Sequence, residues 1–139
     1  MTKILLDTDI ILDFFFDREP YSENAAKILS LCESNRIEAY ITPNVISNVY
    51  YLLRKTAPHI QVITKLRLLL SITNILTVNK EIILQAMNSS FKDFEDALQN
   101  YSAESNKTID VIVTRNIKDY KKSTLSVQTP DAFLKTFVL

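Results

Sequence analysis

Short apolar runs alternate along this chain with longer stretches in which apolar residues return every three to four positions. The first kind reads as buried strands, the second as amphipathic helices. A strand is expected over residues 3–6, then a brief helix over 9–15 with Ile10, Ile11, Phe14 and Phe15 facing inward. Pro20 opens the next element, and over 22–31 the residues Ala25, Ala26, Ile28, Leu29 and Leu31 supply an inward face. A second strand falls at 38–42, closed by Pro43, which suits the first turn of a helix over 44–55. A helix over 61–71, a strand over 75–78 and a helix over 81–87 follow. The clearest periodicity lies at 91–104, where Phe94, Ala97, Leu98 and Tyr101 recur at the spacing of a buried face. On that helix Asp93, Asp96 and Asn100 share one side, at about 100° per residue, and Glu95 is expected on the other flank. Strands over 111–113 and 125–128 and a helix over 130–137 complete the chain.

The order β-α-α-β-α-α-β-α-α-β-β-α predicts an α/β fold, with a mostly parallel sheet covered by helices on both sides. With 139 residues, 47% of them apolar, the chain suits one domain over 1–139. Its longest strongly apolar stretch, 68–78, is interrupted by Ser71, Thr73 and Asn74 and too short to span a bilayer. No leader pattern is apparent, and the lone Cys32 sits in a helical pattern, so a cytoplasmic protein with a buried structural thiol is expected. Glycine is absent altogether. That excludes a Walker loop, a dinucleotide-binding fingerprint and a nucleophile elbow, each of which needs glycine for positive φ or close backbone approach. Left-handed helix ends then fall to asparagine, with Asn35 and Asn106 placed where two helical patterns stop.

Formal net charge is zero, but the charges are segregated. Residues 1–38 carry eight acids against four bases, whereas 39–80 hold Arg54, Lys55, Lys65, Arg67 and Lys80 with no acid. Such a division permits an acidic pocket beside a basic rim, as it also permits ordinary solvated helix faces. The acids most informative for chemistry sit at element ends. Asp7 directly follows the first strand; Asp93 and Asp96 lie on the 91–104 helix; Asn116 and Asp119 follow the strand at 111–113. In an open parallel sheet, ligands bind beyond the carboxyl ends of the strands where strand order reverses, so these groups can share one crevice. Carboxylates gathered there repel one another unless a hard cation joins them, and Mg²⁺ or Mn²⁺ takes such ligands. A purely structural reading remains beside this one. Asp7, Asp9 and Asp13 are well placed as helix caps, and Asp93 and Asp96 suit the positive end of a helix dipole. His59 is the only histidine, which excludes a histidine-pair ribonuclease mechanism.

The segments LLDTDIILDFF, ITPNVISNVYYLLRK, DFEDALQNYSAE and IVTRNIKDY with VQTPDAFL, in this order across the whole chain, resemble the PIN-domain family, in particular the VapC-like toxin ribonucleases. The resemblance implies a three-layer α/β/α fold and metal-assisted hydrolysis of RNA phosphodiesters with Mg²⁺ or Mn²⁺. It implies Asp7, Asp96 and Asp119 as metal ligands, Asn116 as a further candidate catalytic position and Thr114 as a supporting hydroxyl. Many relatives carry a glutamate on the helix after the second strand; the aligned residue here is Asn48, which implies looser metal binding, a site resting on Asp7, Asp96 and Asp119, or compensation by Asp9 or Asp93. Arg115 and Lys118, with Lys121 and Lys122, are candidate contacts to RNA phosphates, and Tyr50, Tyr51 and Tyr120 either stack on bases or pack in the core. A homodimer and a small antitoxin partner are also implied by resemblance. Two other readings stay open. One is a PIN-like domain that binds RNA or a partner without cutting. The other is a phosphatase of the haloacid-dehalogenase kind, suggested by Leu5-Leu6-Asp7-Thr8-Asp9 but short of the later lysine and glycine turn that class uses.

Overall fold

The computed structural model describes residues 1–137. Five strands form one sheet: β1 (Thr2–Leu6), β2 (Ile37–Ile41), β3 (Asn74–Ile75), β4 (Val111–Val113) and β5 (Ser126–Gln128). All pairings are parallel, in the order β3-β2-β1-β4-β5. The helices among the described residues are α1 (Thr8–Phe15), α2 (Ser22–Glu33), α3 (Pro43–Arg54), α4 (His59–Ile72), α5 (Lys80–Met87), α6 (Phe94–Ser105) and α7 (Pro130–Thr136), with a 3-10 helix at Ile117–Tyr120.

Side-chain alternation along the strands divides the core in two. Ile4 and Leu6 of β1, Ile37, Ala39 and Ile41 of β2, and Val111 and Val113 of β4 pack with Ile10, Ile11, Ile28, Val45 and Val62, so α1 to α4 cover this face with α7. Leu5 and Ile112 point the other way, against Ala103 of α6, Ile109 and Tyr120. There α5 packs on α6 through Ala86, Ala97 and Leu98. The result is the expected α/β/α sandwich. Strand β1, central and covered on both sides, is accordingly apolar at each of Ile4, Leu5 and Leu6.

The element order agrees with the sequence pattern, and the differences are local. The strand expected over 75–78 is reduced to Asn74–Ile75, with Leu76 N–H still donating to Ile41 O at 2.9 Å. Helix α6 starts at Phe94 because Asp93 Oδ1 accepts from Asp96 N–H at 3.0 Å and caps it, so Phe91 stays outside and Phe94 is exposed. Phe14, expected inward, is also exposed. Asn35 adopts φ 60°, as expected for a left-handed helix end without glycine, whereas Asn106 keeps φ −87°. Asp17 takes the second such turn, with φ 49°. Among the described residues no helix is long and apolar enough to cross a membrane.

Cys32 is buried and unpaired, and burial pushes its thiol up to about 12. The native protein is expected to resist iodoacetamide at pH 8 and to alkylate promptly in denaturing urea. Equal rates in the two states, followed by mass spectrometry, would show that Cys32 is accessible.

Candidate active site

Strand order reverses between β1 and β4: the chain runs outward from β1 to β2 and β3, then returns to place β4 on the other side of β1. Leu6 stands opposite Val113 in register, so the next residues, Asp7 and Thr114, emerge side by side from the carboxyl edge. Asp7 N–H donates to Val113 O at 3.1 Å, which fastens the two exits together.

The Asp7 carboxylate is buried and receives three hydrogen bonds. Oδ1 accepts from Thr8 N–H at 2.8 Å and from Gln99 Nε2 at 2.9 Å; Oδ2 accepts from the Thr114 hydroxyl at 2.7 Å. The capping role and the site role therefore fall on one residue. Thr114, expected as a supporting hydroxyl, orients Asp7 and in turn accepts from Asn116 N–H at 3.0 Å.

Gln99 carries the connection onward. Its Nε2 also donates to the Tyr120 hydroxyl at 3.1 Å, and that hydroxyl donates to Asp96 Oδ1 at 3.3 Å. Asp7 and Asp96, 89 positions apart in sequence, are thus joined by a two-residue bridge. Tyr120 is fully enclosed, so it packs and bridges and has no face free for stacking on a base. Burial and the charges of Asp7 and Asp96 push its phenol far above the ordinary range, which keeps it a proton donor.

Asp96 itself lies in the first turn of α6, half-buried. Burial, then the charges of Asp7, Asp93 and Asp119, raise its carboxyl from 3.8 to about 7. The charge of Asp119, exposed on the 3-10 helix, is among those that raise Asp96. Asp9 is raised by burial and by Asp7; its Oδ2 accepts from Arg115 N–H and from Asn116 Nδ2, each at 3.1 Å. Its Oδ1 is enclosed without a hydrogen-bond partner among the described residues. Asn116 thus sits at the site's edge, and Asp93 serves as the α6 cap.

Two positions differ from expectation. Glu95 does not point to the far flank but turns inward, where its Oε1 accepts from the Thr8 hydroxyl at 3.0 Å and its Oε2 from Asn48 Nδ2. Asn48, on α3, therefore reaches Glu95 through its side-chain amide. Arg115 is held by Asp13, with Nε to Oδ2 at 2.7 Å and Nη2 to Oδ1 at 3.1 Å, and lies 3.9 Å over the Tyr21 ring. Its guanidinium is thereby turned toward α1. Lys118 is exposed and makes no ion pair among the described residues.

Gln99, Thr8, Glu95 and Asp13 were not picked out by sequence reasoning as members of this site, and Tyr120 was picked out for base stacking or core packing, not as a bridge between acids. Only Gln99 left a usable signal, standing one turn beyond Asp96 on the same helix.

The donor set fits a hard divalent cation in its chemistry. Its candidate ligands are oxygens; Asp7 Oδ2 has accepted one hydrogen bond and keeps a second lone pair, and Asp9 Oδ1 lacks any partner. Burial, reinforced by the charges of Asp7, Asp93 and Asp119, keeps Asp96 partly protonated near neutrality, and a cation beside it would favour the ionised form. Among the described residues no three His, Cys, Asp or Glu side chains stand close enough together to hold a metal ion as they are placed.

A stability consequence follows for the metal-free protein. Folded Asp96 holds its proton up to about pH 7, whereas the unfolded chain releases it near 3.8. Between those values folding takes up a proton, so stability falls as pH rises. In EDTA the melting temperature is expected to be higher at pH 5 than at pH 8, and Mn²⁺ to restore it at pH 8. A flat or rising profile in EDTA would show that burial and the neighbouring acids do not raise Asp96 in the folded protein.

Comparison with known proteins bears on the fold and the family. A family model described as PIN domain matches residues 3–118. No sequence among the curated proteins matches the chain. Among solved structures, a chain of a toxin-antitoxin complex from Klebsiella pneumoniae is similar at TM-score 0.68 and 24% identity, covering 91% of this chain and 97% of that one. VapBC-1 from nontypeable Haemophilus influenzae gives 0.67 and 20%, covering 94% and 99%. The Mycobacterium tuberculosis toxin VapC20, described as cleaving the sarcin-ricin loop, gives 0.59 and 16%, covering 78% and 86%. At these identities the structures speak for the fold, and the family match speaks for descent: the chain belongs to the PIN-domain family.

Proposed function

We propose that this protein is a metal-dependent endoribonuclease and the toxin of a toxin-antitoxin pair. The observation that carries the reading is the joining of Asp7 to Asp96 through Gln99 and Tyr120 at the β1/β4 switch point, with Asp119 near enough to raise Asp96. Asp7, Asp96 and Asp119 would hold Mg²⁺ or Mn²⁺, with Asn116 and Asp9 at the edge. Such an ion supplies Lewis acidity to a phosphodiester and lowers the pKa of the attacking water.

The chain's own residues do the positioning. Thr114, Gln99 and the Thr8 amide fix the Asp7 carboxylate in one orientation, and Tyr120 fixes that of Asp96. Lys118 is free to meet an RNA phosphate, and Arg115 holds the loop that carries Asn116 against α1. Toxin-antitoxin complexes among the structural relatives support an antitoxin partner for this chain. A homodimer in the cytoplasm belongs to the same reading.

Asn48 favours a second reading, a PIN domain that binds RNA or a protein without cutting it, because a neutral amide stands where an acid is common. Incubation of the full chain with structured and unstructured RNA in Mg²⁺, Mn²⁺ or EDTA separates the two. Cutting that needs the metal supports the nuclease; RNA retention without cutting, indifferent to EDTA, replaces it with the second reading.

A further inference from the structure

Glu95 is the acid that sequence reasoning turned away from the site and the structure turns toward it. Both of its oxygens are held, Oε1 by the Thr8 hydroxyl on α1 at 3.0 Å and Oε2 by the Asn48 amide on α3. The two donors are neutral, and among the described residues no Lys or Arg pairs with Glu95. A flexible side chain that would gain water by swinging outward is instead fastened between α1 and α3 with no cation paired to it among the described residues. Each oxygen has accepted one hydrogen bond and retains a lone pair, so the carboxylate stays open to a cation.

The Asn48 amide, on α3, reaches an acid carried on a different helix. A glutamate at residue 48 would meet Glu95 as a like charge; asparagine meets it as a donor. We infer that Glu95 is the anionic ligand completing the cation site, with Asn48 and Thr8 as the residues that position it. This rests on the metal-dependent reading above and adds a ligand to it.

The test is Mn²⁺ binding to the full chain by isothermal titration calorimetry, with melting in EDTA as a check on folding. The chains compared are wild type, Asp7→Asn, Glu95→Gln, and the double variant Asn48→Glu with Glu95→Gln. Glutamine keeps the shape of Glu95, and the Asn48 amide can turn over to accept from the new NH₂, so the fold is retained. Glu95→Gln is expected to weaken Mn²⁺ binding by about tenfold or more, on the scale of a lost metal contact, with its EDTA melt unchanged. The double variant, with the acid moved across the same contact to α3, is expected to recover affinity to within about threefold of wild type, since the ligand charge is again complete. Wild-type affinity in Glu95→Gln, while Asp7→Asn binds no Mn²⁺, would overturn this inference and leave the metal site standing. A loss that the double variant does not recover would overturn it too, marking Glu95 as a tie between helices. Absence of Mn²⁺ binding by wild type would overturn both this inference and the proposed function.

Discussion

Asp7→Asn and Asp96→Asn are each expected to lower metal-dependent RNA cleavage by about a hundredfold or more, without lowering stability in EDTA. The magnitude follows from position: altering partners that merely orient a metal ligand costs about 10–100-fold, and these two residues are the proposed ligands themselves. The stability half of the expectation comes from the charge balance. The Asp7 charge raises Asp96, Asp9 and Glu95 in the metal-free protein, so a neutral residue there removes repulsion. Asparagine retains one oxygen for the Thr8 amide and Gln99 Nε2, and its NH₂ can donate to the Thr114 hydroxyl. A protein that melts as high as wild type in EDTA, gains nothing from Mn²⁺ and cuts poorly would therefore identify Asp7 as a ligand. Cleavage by Asp7→Asn within about fivefold of wild type would place the chemistry elsewhere, since direct ligands lose far more.

Much of this site was legible before the structure because it depends on strand ends. Apolar runs locate β1 and β4, the parallel architecture makes their carboxyl ends the binding edge, and Asp7, Thr114, Asn116 and Asp119 are read directly from there. The position of Asp96 also followed, from helical spacing. Glu95 was misplaced because the 91–104 pattern was treated as one continuous helix. Asp93 in fact caps α6, and first-turn residues are aimed by the cap and by their partners as well as by the 100° step. Its contacts Thr8 and Asn48 lie 87 and 47 residues away, and no periodicity carries information over such distances. Exposed Phe14 and Phe94 failed the inward expectation for a related reason. Each lies at a helix end, where packing depends on neighbouring elements.

Asp13→Ala is expected to be the most destabilising single change near the site. Asp13 has the look of an ordinary acid on an amphipathic helix, yet its side chain is 1% exposed and binds Arg115 through both oxygens, with Arg18 Nη1 at 3.7 Å. Breaking such a pair strands a cation, which costs about 3–5 kcal/mol when burial is complete. The Arg115 side chain is 25% exposed and retains its stack on Tyr21, so the lower end applies, about 3 kcal/mol. In a domain of this size that corresponds to a fall in melting temperature of roughly 10 °C. Asp13→Asn, which keeps an acceptor but not the charge, should lose less. The damage should reach function as well, because Arg115 N–H and Asn116 Nδ2 both bind Asp9, and a freed guanidinium pulls that loop away from β1. Urea denaturation of Asp13→Ala, Arg115→Ala and the double variant measures the coupling directly. If the single losses simply add, the pair is a surface tie without consequence for the site. A coupling of about 2 kcal/mol would make Asp13 the anchor that holds the Asn116 loop in register with Asp7.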